Sequence, residues 1–359
     1  MRKKFQWIAI TLLVIVLVYN FWAAAGRAVD KKTGWVSMPL ISTHFNIQSF
    51  GIDATQGNIL AIQPYLSARS YSTSFNFFVT LKLYLLQAKK AGLLNSETIV
   101  VLPQHCGSWL FLANEKESIY QDTVMSNALR LMQWSNCYKY WSHYLSAHSQ
   151  GNKNISALIS MKAASMVKIY QEVFSQLSKE FAITIVAGSI LLPSPALVKG
   201  TLTAGSGHLF NTTAVFDTSG HIMSPLITQP FNKATDDAVK NDLPSALYTV
   251  GKKRLIVAQD PASIMAELQQ QNDSNTVWAL PYAVPDARDW ERFTETDTAK
   301  INEAGFTQHW PTQAPGIAVS FTADIWNLYR KGPLIARLGD SLYQLPAGRA
   351  GRMANCWLP

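Results

Sequence analysis

The chain has 359 residues, 48% of them hydrophobic, enough to bury a sizeable core, which excludes a disordered chain. The formal charge is +8; Arg2, Lys3 and Lys4 supply three of it, leaving 28 basic against 23 acidic residues, or +5, with no dense Lys/Arg run interleaved with aromatics. That balance points weakly to an anionic surface nearby and excludes nucleic acid as the expected partner.

Trp7 to Ala25 form an almost unbroken apolar segment of 19 residues behind the basic start. At about 1.5 Å per residue it is long enough to cross a bilayer core of about 30 Å. Ala23-Ala24-Ala25 resembles a small-residue cleavage site, but the run exceeds the roughly 7–15 residues of a signal-peptide core, which favours an uncleaved signal anchor over residues 1–25. Arg27, Lys31 and Lys32 follow it, so basic residues flank both ends and the positive-inside rule gives no clean orientation. The rest is expected to be one water-soluble body tethered to the membrane, on the extracytoplasmic side and so periplasmic in a bacterium.

After a polar connector over residues 26–56, Gly57-Asn-Ile-Leu-Ala-Ile-Gln-Pro64 reads as a strand edged by glycine and stopped by proline. Phe75, Phe78, Leu81, Leu85 and Ala88 recur at helical spacing, and Lys89-Lys90 before Gly92 suits a helix end. With Thr98–Leu102 as the next strand, a right-handed parallel crossover is expected. The stretch from Phe111 to Lys162, with Trp134, Tyr138, Tyr140, Trp141 and Tyr144 and a polar break at 149–154, reads as a helical excursion whose aromatics are packing surface. A helix over 163–181 leads to a strand over 183–190, and a strand over 209–217 ends in the turn Thr218-Ser219-Gly220. Residues 225–244 read as a long loop. Strands over 254–260, 276–281 and 317–321, helices over 261–271 and 286–305, and short strands after Gly339 make the class α/β. No linker interrupts 57–359, so one domain is expected there.

Candidate chemistry gathers at Pro103-Gln104-His105-Cys106-Gly107, where a buried strand opens into a loop of polar, titratable and small residues. In an open α/β sheet that end is where ligands sit. The three cysteines, Cys106, Cys137 and Cys356, lack CxxC spacing, and the seven histidines lack any HxxxH or HxH arrangement, so no metal site, disulfide framework or cofactor is expected. Gly205-Ser206-Gly207 reads as loop chemistry. Cys106 beside His105 invites a nucleophile reading, yet neighbours on an extended segment point to opposite faces.

Taken together, the segments resemble the carbon–nitrogen hydrolase, or nitrilase, superfamily. GNILAIQPYL is similar to its opening strand, TIVVLPQHCG to its strand ending in Pro-Glu, FAITIVAGSI to its strand ending in Gly-Ser, and GHLFNTTAVFDTSGHI to its Tyr-Asn strand and Asp-x-x-Gly turn. LIVAQD stands where the family has its Ile-Cys-x-Asp nucleophile strand, NTVWALPYAV where a strand ends in Pro-Ser, and Gly339-Asp340-Ser341 where a late Gly-x-Ser strand lies. The resemblance covers about Gly57 to Leu345 and implies a four-layer α-β-β-α sandwich behind one N-terminal transmembrane helix.

It also implies a cysteine nucleophile, a glutamate proton carrier and a lysine that steadies developing charge. Here the glutamate position is Gln104, whose amide takes no proton at neutral pH, and the cysteine position is Ala258. The lysine falls near Thr228 or Gln229, with Lys233 as the close substitute. Loss of both nucleophile and base removes the ordinary reaction, because such groups act as a unit. The expected function is a membrane-anchored pseudoenzyme that binds an amide-like ligand or a protein partner in a pocket of His105, Asn211, Gln259, Asp260 and Tyr282, with a homodimer implied by the family. The alternative is an active amidase, nitrilase-type hydrolase or N-acyltransferase that uses displaced residues such as Cys106.

Overall fold

The computed structural model describes residues 2–29, 45–146, 152–231, 243–259, 275–282, 314–330, 332–345 and 350–359. The expected helices over 261–271 and 286–305 lie outside them, as do Lys233 and Asp260. An apolar N-terminal helix, α1 (Arg2–Ala24), is followed by an edge strand β1 (Asn46–Phe50) in the stretch read as a connector. Asn-Ile-Gln-Ser-Phe has only two apolar residues, Ile47 and Phe50, three apart and half-buried against different faces of the sheet, which is why it shows no strand periodicity in the sequence.

β2 (Asn58–Gln63) and a short β3 (Tyr65–Ser67) precede α2 (Ser74–Lys90), whose N-terminus is capped by the Thr73 side chain accepting from Asn76 N. β4 (Thr98–Val101) then pairs in parallel with β2, the expected crossover. The aromatic excursion is helical: α3 (Glu117–Gln121), α4 (Met125–Ser135) and α5 (Cys137–Ser146). α6 (Lys153–Phe181) starts at the Asn152 cap, ten residues before the helix predicted from spacing.

β5 (Thr184–Val198) and β6 (Thr201–Phe216) form one long hairpin rather than two strands separated by a loop. The Ser, Pro and Gly residues of 193–207 read as loop punctuation. The ribbon absorbs Ser194 in a register shift between Pro193 and Pro195, and turns at Lys199 and Gly200 with φ 50 and 78, the paired positive φ of a tight hairpin. The loop expected over 225–244 holds β7 (Ile227–Pro230).

The remaining strands are β8 (Ser245–Val250), β9 (Lys253–Ala258), β10 (Thr276–Tyr282), β11 (Gly316–Ser320), β12 (Thr322–Ile325), β13 (Leu328–Arg330), β14 (Leu334–Leu338), β15 (Ser341–Leu345) and β16 (Arg352–Trp357). They complete a seven-stranded sheet β1-β16-β2-β4-β5-β6-β7, a six-stranded sheet β15-β14-β11-β10-β9-β8 and a small sheet β13-β12-β3. Alternation decides what each face covers. Ile59, Ile99 and Val186 of the first sheet pack on Leu255, Val257 and Val277 of the second. Leu60, Val100 and Ile185 face Phe77 of α2 and Phe174 of α6. On the outer face of the second sheet Ile256, Ala258, Trp278 and Leu280 are also fully buried. The fold is mixed α/β, with helices on one sheet and that sheet on another.

The end of α1 is clamped to this body. Arg27 donates to the carbonyls of Ala23, Asn114 and Ser135 and pairs with Glu115, 3.1 Å away. Lys162 of α6 pairs with the other Glu115 oxygen, and Asn136 Nδ2 donates to the first, so this fully buried carboxylate is held from three sides. Lys116 Nζ donates to the carbonyls of Trp22 and Ala25, neutralising the carbonyl end of α1.

Candidate functional site at the carboxyl edge of the two sheets

The two sheets bring their strands to a common edge. Gln63, the last residue of β2, donates Nε2 to the carbonyl and hydroxyl oxygens of Ser320, the last residue of β11, at 2.8 and 2.6 Å. Because β2, β4 and β5 are mutually parallel, and β9, β10 and β11 likewise, the carboxyl ends of all six face this edge. Strand-end side chains converge there, where the loop Pro103–Gly107 opens from the end of its strand.

The turn after β4 is held by β5. His105 takes φ 62 as the third residue of a turn closed by Cys106 N donating to Pro103 O at 3.3 Å. His105 N donates to Ser189 Oγ at 2.7 Å and Gly107 N to Ser189 O at 2.8 Å. Gly188, at φ 68, lets β5 approach so closely that a Cβ there would lie 2.1 Å from Pro103 O. The Gly-Ser pair at the end of the expected strand is therefore what builds the Gln104 turn. Gln104 itself is half-buried; the buried His105 ring lies 3.1 Å from Ser108 Oγ through Nδ1.

Across the gap, Gln259 follows the last residue of β9. Its Nε2 donates to Asn211 O at 3.2 Å and to Thr213 Oγ1 at 3.0 Å, bridging the second sheet to β6. Gln229 of β7 stands opposite Asn211 in the ladder, so of the two positions nearest the expected lysine it is Gln229 that shares the Asn211 face. Arg352 lies opposite Gln63 and donates to the carbonyls of Leu345 and Gly332. Three amide oxygens at this edge, Gln63 Oε1, Asn211 Oδ1 and Gln259 Oε1, are buried without a hydrogen-bond donor among the described residues. Gln63, Thr213, Ser320 and Arg352 were not singled out from sequence; Gln63, a strand-end residue before Pro64, carries the same signal that picks out Gln104.

Two expected members are turned elsewhere. Ala258 is fully buried on the outer face of the second sheet with Ile256, Trp278 and Ala314, so the residue that reaches from β9 into the space between the sheets is Gln259. Tyr282 shares that outer face, and its hydroxyl donates to Pro333 O at 2.8 Å. The cause is alternation along β9 and β10, which puts even-numbered residues outside. Cys106 is fully buried in the core under the helices, its carbonyl accepting from Tyr71 Oη, and burial pushes its thiol well above the ordinary range. Among the described residues no group of three or more His, Cys, Asp or Glu could hold a metal ion.

No family model matches the chain, and no curated protein does. Among solved structures it is similar to a mutant of the amidase from Nesterenkonia sp. AN1 carrying acrylamide on its active-site cysteine, with 11% identity, 84% of this chain and 93% of that one covered, and a TM-score of 0.48. It is also similar to a second mutant of that amidase, described as from the nitrilase superfamily, with 10% identity, coverage of 86% and 94%, and a TM-score of 0.47.

Proposed function

We propose that the chain is a membrane-anchored carbon–nitrogen-hydrolase-like protein that binds through its strand-end site without catalysing hydrolysis. One observation carries this reading: the described residues that meet at this edge are amides and hydroxyls, namely Gln63, Gln259 and Ser320 from strand ends and Asn211 and Thr213 from within β6, with Arg352 as the charged neighbour. An amide neither attacks a carbonyl carbon nor relays a proton at neutral pH. Gln104 and Ala258 stand where the resembled motifs have glutamate and cysteine. Asp324, further along β12, is engaged by the Tyr65 hydroxyl at 3.0 Å.

The orphaned oxygens of Gln63, Asn211 and Gln259 indicate the ligand chemistry. Among the described residues they have no N–H donor, which an amide-like ligand or a partner's backbone would supply, and each buried acceptor left unsatisfied costs about 1–3 kcal/mol. Use of Cys106 as a displaced nucleophile is disfavoured, because its thiol has no solvent access and holds its proton above neutral pH. α1 supplies the anchor: Lys3–Ala24 is an apolar span of 22 residues, almost none of it buried in the body. An extracytoplasmic body suits this arrangement.

Incubating the purified full chain with primary amides, nitriles and esters tests the reading. No turnover above a protein-free blank, with a rise in melting temperature produced by amides, is the expected result. Turnover that disappears in Cys106→Ala would return the displaced-nucleophile reading.

A further inference from the structure

We infer that α4 and α5 form a second membrane contact, an aromatic and cationic surface that lies in the headgroup layer of the bilayer α1 enters. The inference rests on the anchor reading above. Trp134, Tyr138, Trp141 and Leu145 are spaced by four, three and four residues and are 62%, 60%, 52% and 77% exposed. Tyr138, Trp141 and Leu145 make one stripe along α5, and Trp134 stands beside its start at the end of α4, before the break at Asn136. α5 carries another stripe, Cys137, Tyr140 and Tyr144, and Tyr140 from it is buried against the body. The exposed stripe is therefore not what holds the helix in place.

Its position relative to α1 says what covers it. Tyr19 of α1 packs edge-on against Tyr138 at 5.3 Å, its hydroxyl donates to Trp134 O at 2.9 Å, and Cys137 N donates to that hydroxyl at 3.1 Å. Tyr19 lies five residues before the end of α1, about 7–8 Å along the helix axis. A body that touches the span at this depth must meet the layer in which Trp and Tyr belts sit. Trp22 of α1 and Trp134, Tyr138 and Trp141 of the body then belong to one belt.

Charge agrees. From Asp122 to Glu172 the chain has no intervening carboxylate, while Arg130, Lys139, Lys153, Lys162 and Lys168 fall between them. Lys162 is taken by Glu115, Lys153 lies 4.6 Å over the Tyr144 ring and Lys168 faces Glu172 at 3.9 Å on α6, leaving Arg130 and Lys139 exposed on α4 and α5. Basic residues beside aromatic ones at a membrane surface favour anionic lipid headgroups.

The full chain in nanodiscs of mixed zwitterionic and anionic phospholipid provides the test. In a Cys137→Ser background, Leu145→Cys, Leu13→Cys and Lys199→Cys each carry one environment-sensitive fluorophore. The expected result is that position 145 is quenched several-fold more by a lipid quencher near the headgroup than by aqueous iodide, position 13 by a deep quencher, and position 199 by iodide alone. A probe at 13 in lipid with one at 145 open to iodide overturns this inference and leaves the anchor standing. A probe at 145 shielded from both quenchers also overturns it, in favour of a protein partner. A probe at 13 outside lipid overturns the anchor and this inference with it.

Discussion

Two buried polar clusters of this molecule are built on opposite principles. Where α1 meets the body, the fully buried carboxylate of Glu115 is enclosed by Arg27, Lys162 and Asn136. At the carboxyl edge of the sheets, Gln63, Asn211 and Gln259 supply neutral amides whose oxygens are left without donors among the described residues. The fold is thus able to bury and neutralise a carboxylate. The described strand ends carry amides instead, which fits a structural part for the first cluster and the recognition proposed for the second.

Removing Glu115 breaks the comparison most severely. Glu115→Ala leaves Arg27 and Lys162 facing one another without their anion, and breaking a buried pair in this way costs about 3–5 kcal/mol. Chemical denaturation of the full chain in detergent should register a loss of that size, partly restored by adding Lys162→Met.

Gly188→Ala attacks the support of the Gln104 turn. A Cβ at φ 68 and 2.1 Å from Pro103 O forces β5 away from the turn, at a cost of about 1–3 kcal/mol for the backbone conformation alone. Its melting temperature should fall, whereas Gly200→Ala, where a Cβ meets nothing within 4 Å, should fall less.

Gln259→Ala sharpens the contrast at the edge itself. It removes two hydrogen bonds to β6, about 1–2 kcal/mol, and any amide-induced thermal shift should vanish with it. Lys116→Met, at the α1 clamp, should leave that shift intact.

The thiols give the smallest effect. Cys356 is pushed up to about 12 by burial and Cys106 higher still, while unfolded thiols ionise near 9. The unfolded chain therefore releases protons first as pH rises, so these two groups disfavour the folded state progressively from about pH 9 upward and not below it. A thiol reagent at pH 8 should titrate Cys137 in the folded protein and all three cysteines in denaturant.

How much was legible follows from the same physics. The buried strands β2, β4, β9 and β10 announce themselves as short apolar runs ended by Pro or Gly, and the turn after β4 by Pro103 and the Gly188-Ser189 pair. β1 and the far ends of β5 and β6 did not, because exposed ribbon carries polar, Ser- and Gly-rich sequence that reads as loop. At the site, strand-end position was legible for Gln104 and Gln259, while facing was not. Ala258 and Tyr282 lie one alternation step away from the space they were expected to line, and a single-residue step reverses a strand's faces. The exposure of Trp134, Tyr138 and Trp141 was likewise hidden, since periodicity identifies an apolar stripe without saying what it packs against.

Intact-mass measurement of the folded full chain after incubation with thiol- and serine-directed electrophilic amides, nitriles and esters tests the central claim most directly. The proposed non-catalytic reading predicts no covalent adduct other than slow modification of Cys137, unchanged in Gln104→Glu. A stoichiometric adduct on Cys106, formed in the native state and lost in Cys106→Ala, would contradict it.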